Sequence, residues 1–175
     1  MTGPLVEPDL RRVAATTNTD RMTTLANAPS VNHVSTDDLP WADTGIGVGL
    51  KVIRVNIETG VWVLLNRFDP GTQIPRHKHT GPVEGYTLKG RWHYLEYDFW
   101  STAGSYIYEP ANSVHTLDVP ADNTELTDVL FVITGALLNL DDNDQVESVS
   151  DGPMTLAAYY ALCEAQGLPR PNVLT

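Results

Sequence analysis

The sequence predicts an all-β barrel or sandwich closed by one C-terminal helix, and three observations carry that expectation. Short runs rich in apolar and β-branched residues recur between turn signals from residue 50 onward. Thirteen glycines and twelve prolines break the chain often. Helical spacing with start and stop residues is confined to the stretch after Asp151. A chain of 175 residues suits one domain with a substantial core.

Residues 1–38 are polar, rich in Thr, Asn, Asp and Pro, and lack sustained periodicity. They are expected to form an extension that is disordered or packs on a partner subunit. "LPW" at 39–41 is the first anchor, so the domain is placed over 39–175. "LKVIRVN" (50–56) and "VWVLLNRFD" (61–69) read as strands separated by a turn. "VEGYTLKG" (83–90) and "RWHYLEY" (91–97) read as a hairpin joined near Lys89-Gly90. "AGSYIYEP" (103–110) ends at a proline, "VHTLDV" (114–119) alternates, and "ELTDVLFVITGALLNL" (125–140) supplies one or two more strands. The helix is expected over about 154–166, with Asp151 and Pro153 at its start and Gly167 at its end. Cys163 on that helix reads as a small packed residue.

A formal net charge of -11 argues against nucleic acid and against an anionic membrane as partners. The single cysteine excludes an internal disulfide, which fits a reduced, cytoplasmic protein. No run of eighteen apolar residues is present, and the N-terminus lacks the pattern of a secretory signal, so neither a membrane span nor export is expected.

Five histidines are present: His33, His77, His79, His93 and His115. Residues i and i+2 of a strand share a face, so His77 and His79 project together with Lys78 turned away. Two imidazoles on one face are a partial metal site, and imidazole suits Fe, Zn, Cu and Ni. His33 lies in the polar extension, and His93 has no partner two residues away.

His115 makes the pattern specific. Gly71, five residues, His77-Lys78-His79, then Glu84 and Gly90 resemble the first cupin motif. Gly104, five residues, Pro110, Asn112 in a glycine place, two residues, then His115 resemble the second. Asparagine tolerates the left-handed turn conformation that glycine would supply. The chain therefore resembles the cupins, which implies a single-domain double-stranded β-helix, or jelly-roll barrel, and His77, His79 and His115 as metal ligands. Glu84 departs from the pattern. Five residues separate it from Gly90 where the family has six, which puts Val83 in the ligand place. One residue of offset turns a strand side chain to the other face. Glu84 would join as a fourth ligand only if a bulge corrected the register, so a three-histidine centre is expected.

The segments "PRHKHTGPVEGYTLKGRWHYLEYD" and "GSYIYEPANSVHT", with the helical tail, are similar to single-domain cupins of the ChrR-like and 2,4'-dihydroxyacetophenone dioxygenase type. That resemblance implies non-haem Fe(II), cleavage of a carbon–carbon bond in an aromatic α-hydroxyketone by O2, and a homodimer or homotetramer. Three neutral imidazoles leave the metal its full charge, which favours chelation of a ketone enolate or α-hydroxyketone. Glu96 is the candidate base if the face it shares with Trp92 and Tyr94 lines the barrel, where burial would raise its pKa. Tyr86, Trp92, Tyr94, Tyr106 and Tyr108 are candidate pocket walls. A β-diketone is an open alternative substrate, and Zn, Ni and Mn are alternative metals. A Zn or Ni isomerase or hydrolase, and a non-catalytic sensor, are the competing function classes.

Overall fold

The structure is a computed structural model and describes residues 29–175. Most of the extension read over 1–38 lies outside the described residues. Near its end, Ser35 caps a short 3-10 helix, Thr36–Asp38, whose Thr36 carbonyl accepts a hydrogen bond from Lys51 Nζ. His33–Thr175 form one unit.

That unit is built from antiparallel strands. In chain order they are β1 (Ala42–Asp43), β2 (Val48–Asn56), β3 (Val61–Phe68), β4 (Gln73–His79), β5 (Val83–Lys89) and β6 (Arg91–Tyr94). β7 (Ser101–Thr102), β8 (Tyr106–Glu109), β9 (Val114–Asp118), β10 (Thr127–Thr134), β11 (Leu137–Leu140) and β12 (Val146–Ser150) follow, and helix α1 (Gly152–Ala165) comes last. One sheet has the order β1-β2-β3-β10-β5-β8, the other β12-β11-β4-β9-β6-β7. Chain neighbours repeatedly fall in different sheets, which is jelly-roll connectivity.

Alternation places the core. In β10, Val129, Phe131 and Ile133 are buried while their neighbours are half-exposed. Cross-strand register extends this into rows on the inner face. Trp62, Ile133, Val83 and Glu109 form one row, and Leu64, Phe131, Gly85 and Ile107 the next. β2 carries an extra residue opposite Leu64 and Val63, so Val52 and Val55 both point inward although three positions apart. At that irregularity the C-terminal tail adds to the sheet: Val55 N–H donates to the Leu174 carbonyl, and Leu174 N–H to that of Ile53.

The expected hairpin at Lys89-Gly90 is not formed. β5 and β6 lie in different sheets and do not pair. A single residue between them is too short for a hairpin turn. Gly90 instead turns a corner at φ 75°, and a Cβ there would sit 2.7 Å from the Thr127 backbone. "ELTDVLFVITGALLNL" supplies two strands, also in different sheets, with Gly135 at the corner. The short strands β1 and β7, and the polar β12, carry too little apolar pattern to be read from sequence.

Helix α1 spans Gly152–Ala165, two residues earlier than expected at its start. Asp151 accepts from Met154 N–H at 2.8 Å, and Pro153 occupies the first turn. Gly152 lies so close to Val55 and Trp62 that a Cβ would meet them at 3.0–3.2 Å. Tyr159 and Cys163 are buried, and Tyr159 Oη donates to the Pro40 carbonyl, tying the helix to the "LPW" anchor. Burial pushes the Cys163 thiol up, as befits a packed and unreactive cysteine. Among the described residues no helix is long and apolar enough to cross a membrane.

Gly85 sets the closest approach within the inner rows. A Cβ there would meet Ile107 Cγ1 at 2.7 Å and Phe131 at 3.1 Å. Gly85→Val is therefore expected to destabilise the barrel by about 1–3 kcal/mol. Thermal unfolding should show a fall of roughly 2–12 °C in Tm, and an unchanged Tm would contradict this packing.

Candidate functional site

β4 brings His77 and His79 to the inner face, and β9 brings His115 and Leu117 to the same side. His77 and His115 are direct cross-strand partners, which places their ring centroids 4.6 Å apart. Asn112 adopts φ 66°, the left-handed conformation expected where cupins carry glycine, and its N–H donates to the His79 carbonyl at 2.8 Å. The turn that delivers His115 is thus fastened to the strand that delivers His79. One ring nitrogen from each histidine falls within 4.8 Å of the others, and all three residues are buried.

The tautomers and charges suit metal binding. His77 Nδ1 lies 2.7 Å from the Pro75 carbonyl. A carbonyl only accepts, so Nδ1 carries the proton and Nε2 keeps its lone pair. Burial, reinforced by the neighbouring His115, lowers the His77 pKa to about 4. Burial, with His77 and His115 beside it, also lowers that of His79 to about 4, although Glu109 opposes the shift. Both rings are neutral at pH 7, as a metal ligand must be.

The residues also fit an ion by what they lack. Among the described residues, the buried side-chain nitrogens and oxygens without a hydrogen-bond partner are His79 Nδ1, both ring nitrogens of His115, and Glu109 Oε2. All four belong to one site. Buried polar groups are almost always paired, and the lone pairs that neutral imidazoles and a carboxylate oxygen offer at this cluster fit a cation held there.

Glu109 was not singled out in the sequence. It is buried at the end of β8, with Oε2 3.2 Å from His115 Nε2 and 3.6 Å from His79 Nε2. Tyr94 Oη donates to its other oxygen, and the Tyr94 ring stacks on His115 with centroids 4.2 Å apart. Burial alone would raise the Glu109 carboxyl. The His115 imidazole, the Tyr94 hydroxyl and His79 outweigh it and hold the group below the usual carboxylate range. Burial, with the Glu109 charge beside it, pushes the Tyr94 phenol well up, so it remains a donor. A signal for Glu109 did exist. In "YIYEP", Ile107 and Glu109 share one face and the two tyrosines the other, so one buried row fixes the carboxylate inward.

Glu84 faces outward and is exposed, as the one-residue offset requires, while Val83 lines the cavity in its place. Glu109 is the cross-strand partner of Val83. The carboxylate absent from β5 thus enters the cavity from the adjacent strand.

Glu96 does not line the cavity. β6 ends at Tyr94 and the chain turns, so Glu96 leaves the alternation it would need to follow Trp92 and Tyr94 inward. Its carboxylate accepts from Thr116 N–H and Oγ1. Partial burial would raise its pKa, but those bonds and Arg76 together lower it, so the expected rise is not found. Of the five aromatic candidates, Tyr94 alone lines the cavity. Tyr86, Tyr106 and Tyr108 are 44%, 59% and 58% exposed because they occupy the outer positions of β5 and β8. Trp92 is inward but fully packed against Tyr94 and Phe131, and donates to Thr87 Oγ1. His93 lies against Trp100 and Asp118, away from the centre.

The cavity beside the histidines holds about 310 Å3. Its wall is largely apolar and includes Leu50, Leu64, Phe68, Leu117, Phe131 and Ile133. Asn66 also faces it.

Comparison with known proteins places this architecture. Residues 30–138 match the family described as "ChrR Cupin-like domain". No curated protein matches the chain. An RmlC-like cupin from Ralstonia eutropha JMP134 is 29% identical over 83% of this chain and 95% of its own, with a TM-score of 0.76. A cupin-fold protein of unknown function from the same organism is 27% identical over 85% of this chain and 94% of its own, with a TM-score of 0.77. An acetylacetone dioxygenase from Acinetobacter johnsonii shares the fold at 19% identity, over 78% of this chain and 94% of its own, with a TM-score of 0.65. Two antiparallel sheets, a closing helix and three clustered histidines agree with what the matched segment implies: over more than half of its length the chain matches, and belongs to, the ChrR cupin-like domain family.

Proposed function

We propose that the chain is an Fe(II)-dependent dioxygenase that cleaves a carbon–carbon bond in an α-hydroxyketone with an aromatic body, or in a related β-diketone. The observation that carries this reading is the cluster of three buried histidines beside an apolar cavity, with a carboxylate–phenol pair at the same point. The fold shared with an acetylacetone dioxygenase supports it. His77, His79 and His115 would hold the ion, which supplies Lewis acidity toward two substrate oxygens and the redox chemistry that O2 requires.

The chain's own groups divide the remaining work. Glu109 Oε2, ionised and beside the histidines, is the acceptor for the proton that the substrate's hydroxyl or α-carbon must lose. Tyr94 Oη holds the other carboxylate oxygen, so Oε2 stays aimed at the centre. Leu64, Leu117, Phe131 and Ile133 pack the apolar body and exclude water. Asn66 offers an amide to a polar group at the substrate's end. In sum, R–CO–CH2OH + O2 gives R–COOH + HCOOH, which balances without an external reductant. An isomerase or hydrolase using Zn or Ni would use the same Glu109 without O2, and the assay below separates the two.

Apoprotein reconstituted with Fe(II) under anaerobic conditions, then given O2, is expected to consume oxygen stoichiometrically with an aryl α-hydroxyketone or a β-diketone. Turnover without oxygen uptake would favour the isomerase or hydrolase. His115→Ala should lose both bound iron and turnover, and undiminished activity would sink the metal centre. Glu109→Gln should lower kcat by about 10²–10⁴ while iron still binds, whereas Glu84→Gln should change neither. Equal losses in the two variants would remove Glu109 from its role. Metal supplied at a hundred times its Kd should stabilise the fold by about 2.7 kcal/mol. Chelation should therefore lower Tm by roughly 5–10 °C in calorimetry.

A further inference from the structure

We propose that Glu96 is a positioning residue for the metal centre: from the outer face of the barrel, its carboxylate fastens β9 to the irregular part of β4 and so fixes the separation of His115 and His77. The proposal rests on the reading of the three histidines as a metal site.

β4 and β9 pair at Ile74↔Leu117 and again at His77↔His115. Between these pairs, Pro75 and Arg76 face Thr116 alone, which is a β-bulge. The bulge has a purpose that can be read from the alternation. Ile74 and His77 both line the cavity although three positions apart, and a regular strand would turn one of them out. Pro75 also has no N–H to give to a ladder, so this is a position where proline is tolerated. The register that sets His77 opposite His115 is therefore established across a gap in the regular hydrogen bonding.

The other side of β9 is irregular at the same residue. β6 pairs with it only as far as Tyr94↔Leu117. Leu95 N–H still reaches the Thr116 carbonyl at 3.0 Å. Beyond that the chain turns away, and Thr116 N–H has no strand acceptor. Glu96 supplies one: Oε2 accepts from Thr116 N–H at 2.8 Å, and Oε1 from Thr116 Oγ1 at 2.9 Å. The same carboxylate faces Arg76 Nη1 at 3.4 Å, and Arg76 Nε donates to Asp144 Oδ1 at 2.7 Å in the β11–β12 turn.

Thr116 adjoins His115, and Arg76 adjoins His77. One carboxylate thus holds the immediate neighbours of two ligands at the point where both flanking ladders fail. The Arg76 contact is half-exposed and weak alone. The two bonds to Thr116 supply the anchoring, and Arg76 orients the carboxylate that makes them.

Co(II) titration of the apoprotein, read by visible d–d absorption, tests this without relying on turnover. Glu96→Ala is expected to raise the Co(II) Kd by about 10- to 100-fold and to shift the d–d bands. In the iron-loaded enzyme, kcat should fall with KM little changed. Glu96→Gln keeps an oxygen that can accept from Thr116 N–H, so it should recover much of the loss. If Glu96→Ala fails to fold, Arg76→Met decides, with a smaller rise in Kd and the same direction of band shift. Wild-type Co(II) affinity and bands in the folded variants would overturn the proposal. So would loss of turnover in Ala and Gln variants alike with Co(II) binding intact, since that marks a proton-transfer role. Failure of the wild type to bind Co(II) would instead remove the metal reading, and this proposal with it.

Discussion

Three imidazoles and a carboxylate are buried at one point in an apolar barrel, and much of the rest of the structure follows from that burden. Unpaired buried polar groups each cost about 1–3 kcal/mol, and four such atoms meet here. Such a point is tolerable only if the surrounding barrel is well packed and if something compensates the polar atoms. The inner rows supply the first condition, with Gly85 admitting Ile107 and Phe131 at contact distance. A cation held by the histidines would supply the second. The same burial keeps His77 and His79 neutral, so the feature that costs stability is also the one that prepares the ligands.

Parity along the strands then distributes roles. Each residue of a strand is committed to the cavity or to the outside, and only a bulge or a strand end changes the assignment. Both exceptions matter here. The bulge in β4 lets Ile74 and His77 face the same cavity. The end of β6 at Tyr94 releases Glu96 to the outer face, where it meets Thr116. The helix and the C-terminal tail have a quieter part, closing the β1–β2 side through Tyr159 and Leu174.

The sequence carried the local features well. The spacing around His77, His79 and His115, the cap at Asp151 and the left-handed turn at Asn112 each depend on residues close together in the chain, and each is found in the structure. The outward turn of Glu84 follows from counting to Gly90. Features that depend on which strands lie side by side were not available from one chain. Lys89-Gly90 looks like a hairpin locally, but β5 and β6 go to different sheets, and Gly90 turns the corner between them against Thr127, far along the chain. Tyr86, Tyr106 and Tyr108 resemble an aromatic pocket by composition but occupy outer positions of two paired strands. Glu109 has partners that no local pattern joins to it: Val83 on the neighbouring strand and Tyr94 on the opposite sheet.

The pairing of Val83 with Glu109 has a consequence for how acidic groups in such barrels are recognised. A motif counts along one strand, whereas the cavity registers only where an oxygen arrives. Moving the carboxylate sideways by one strand, about 5 Å, leaves it at the same depth in the barrel but approaching from a different wall. A pattern written for β5 would score this chain as lacking its acid. A description by depth and azimuth around the barrel would find it on the strand beside β5.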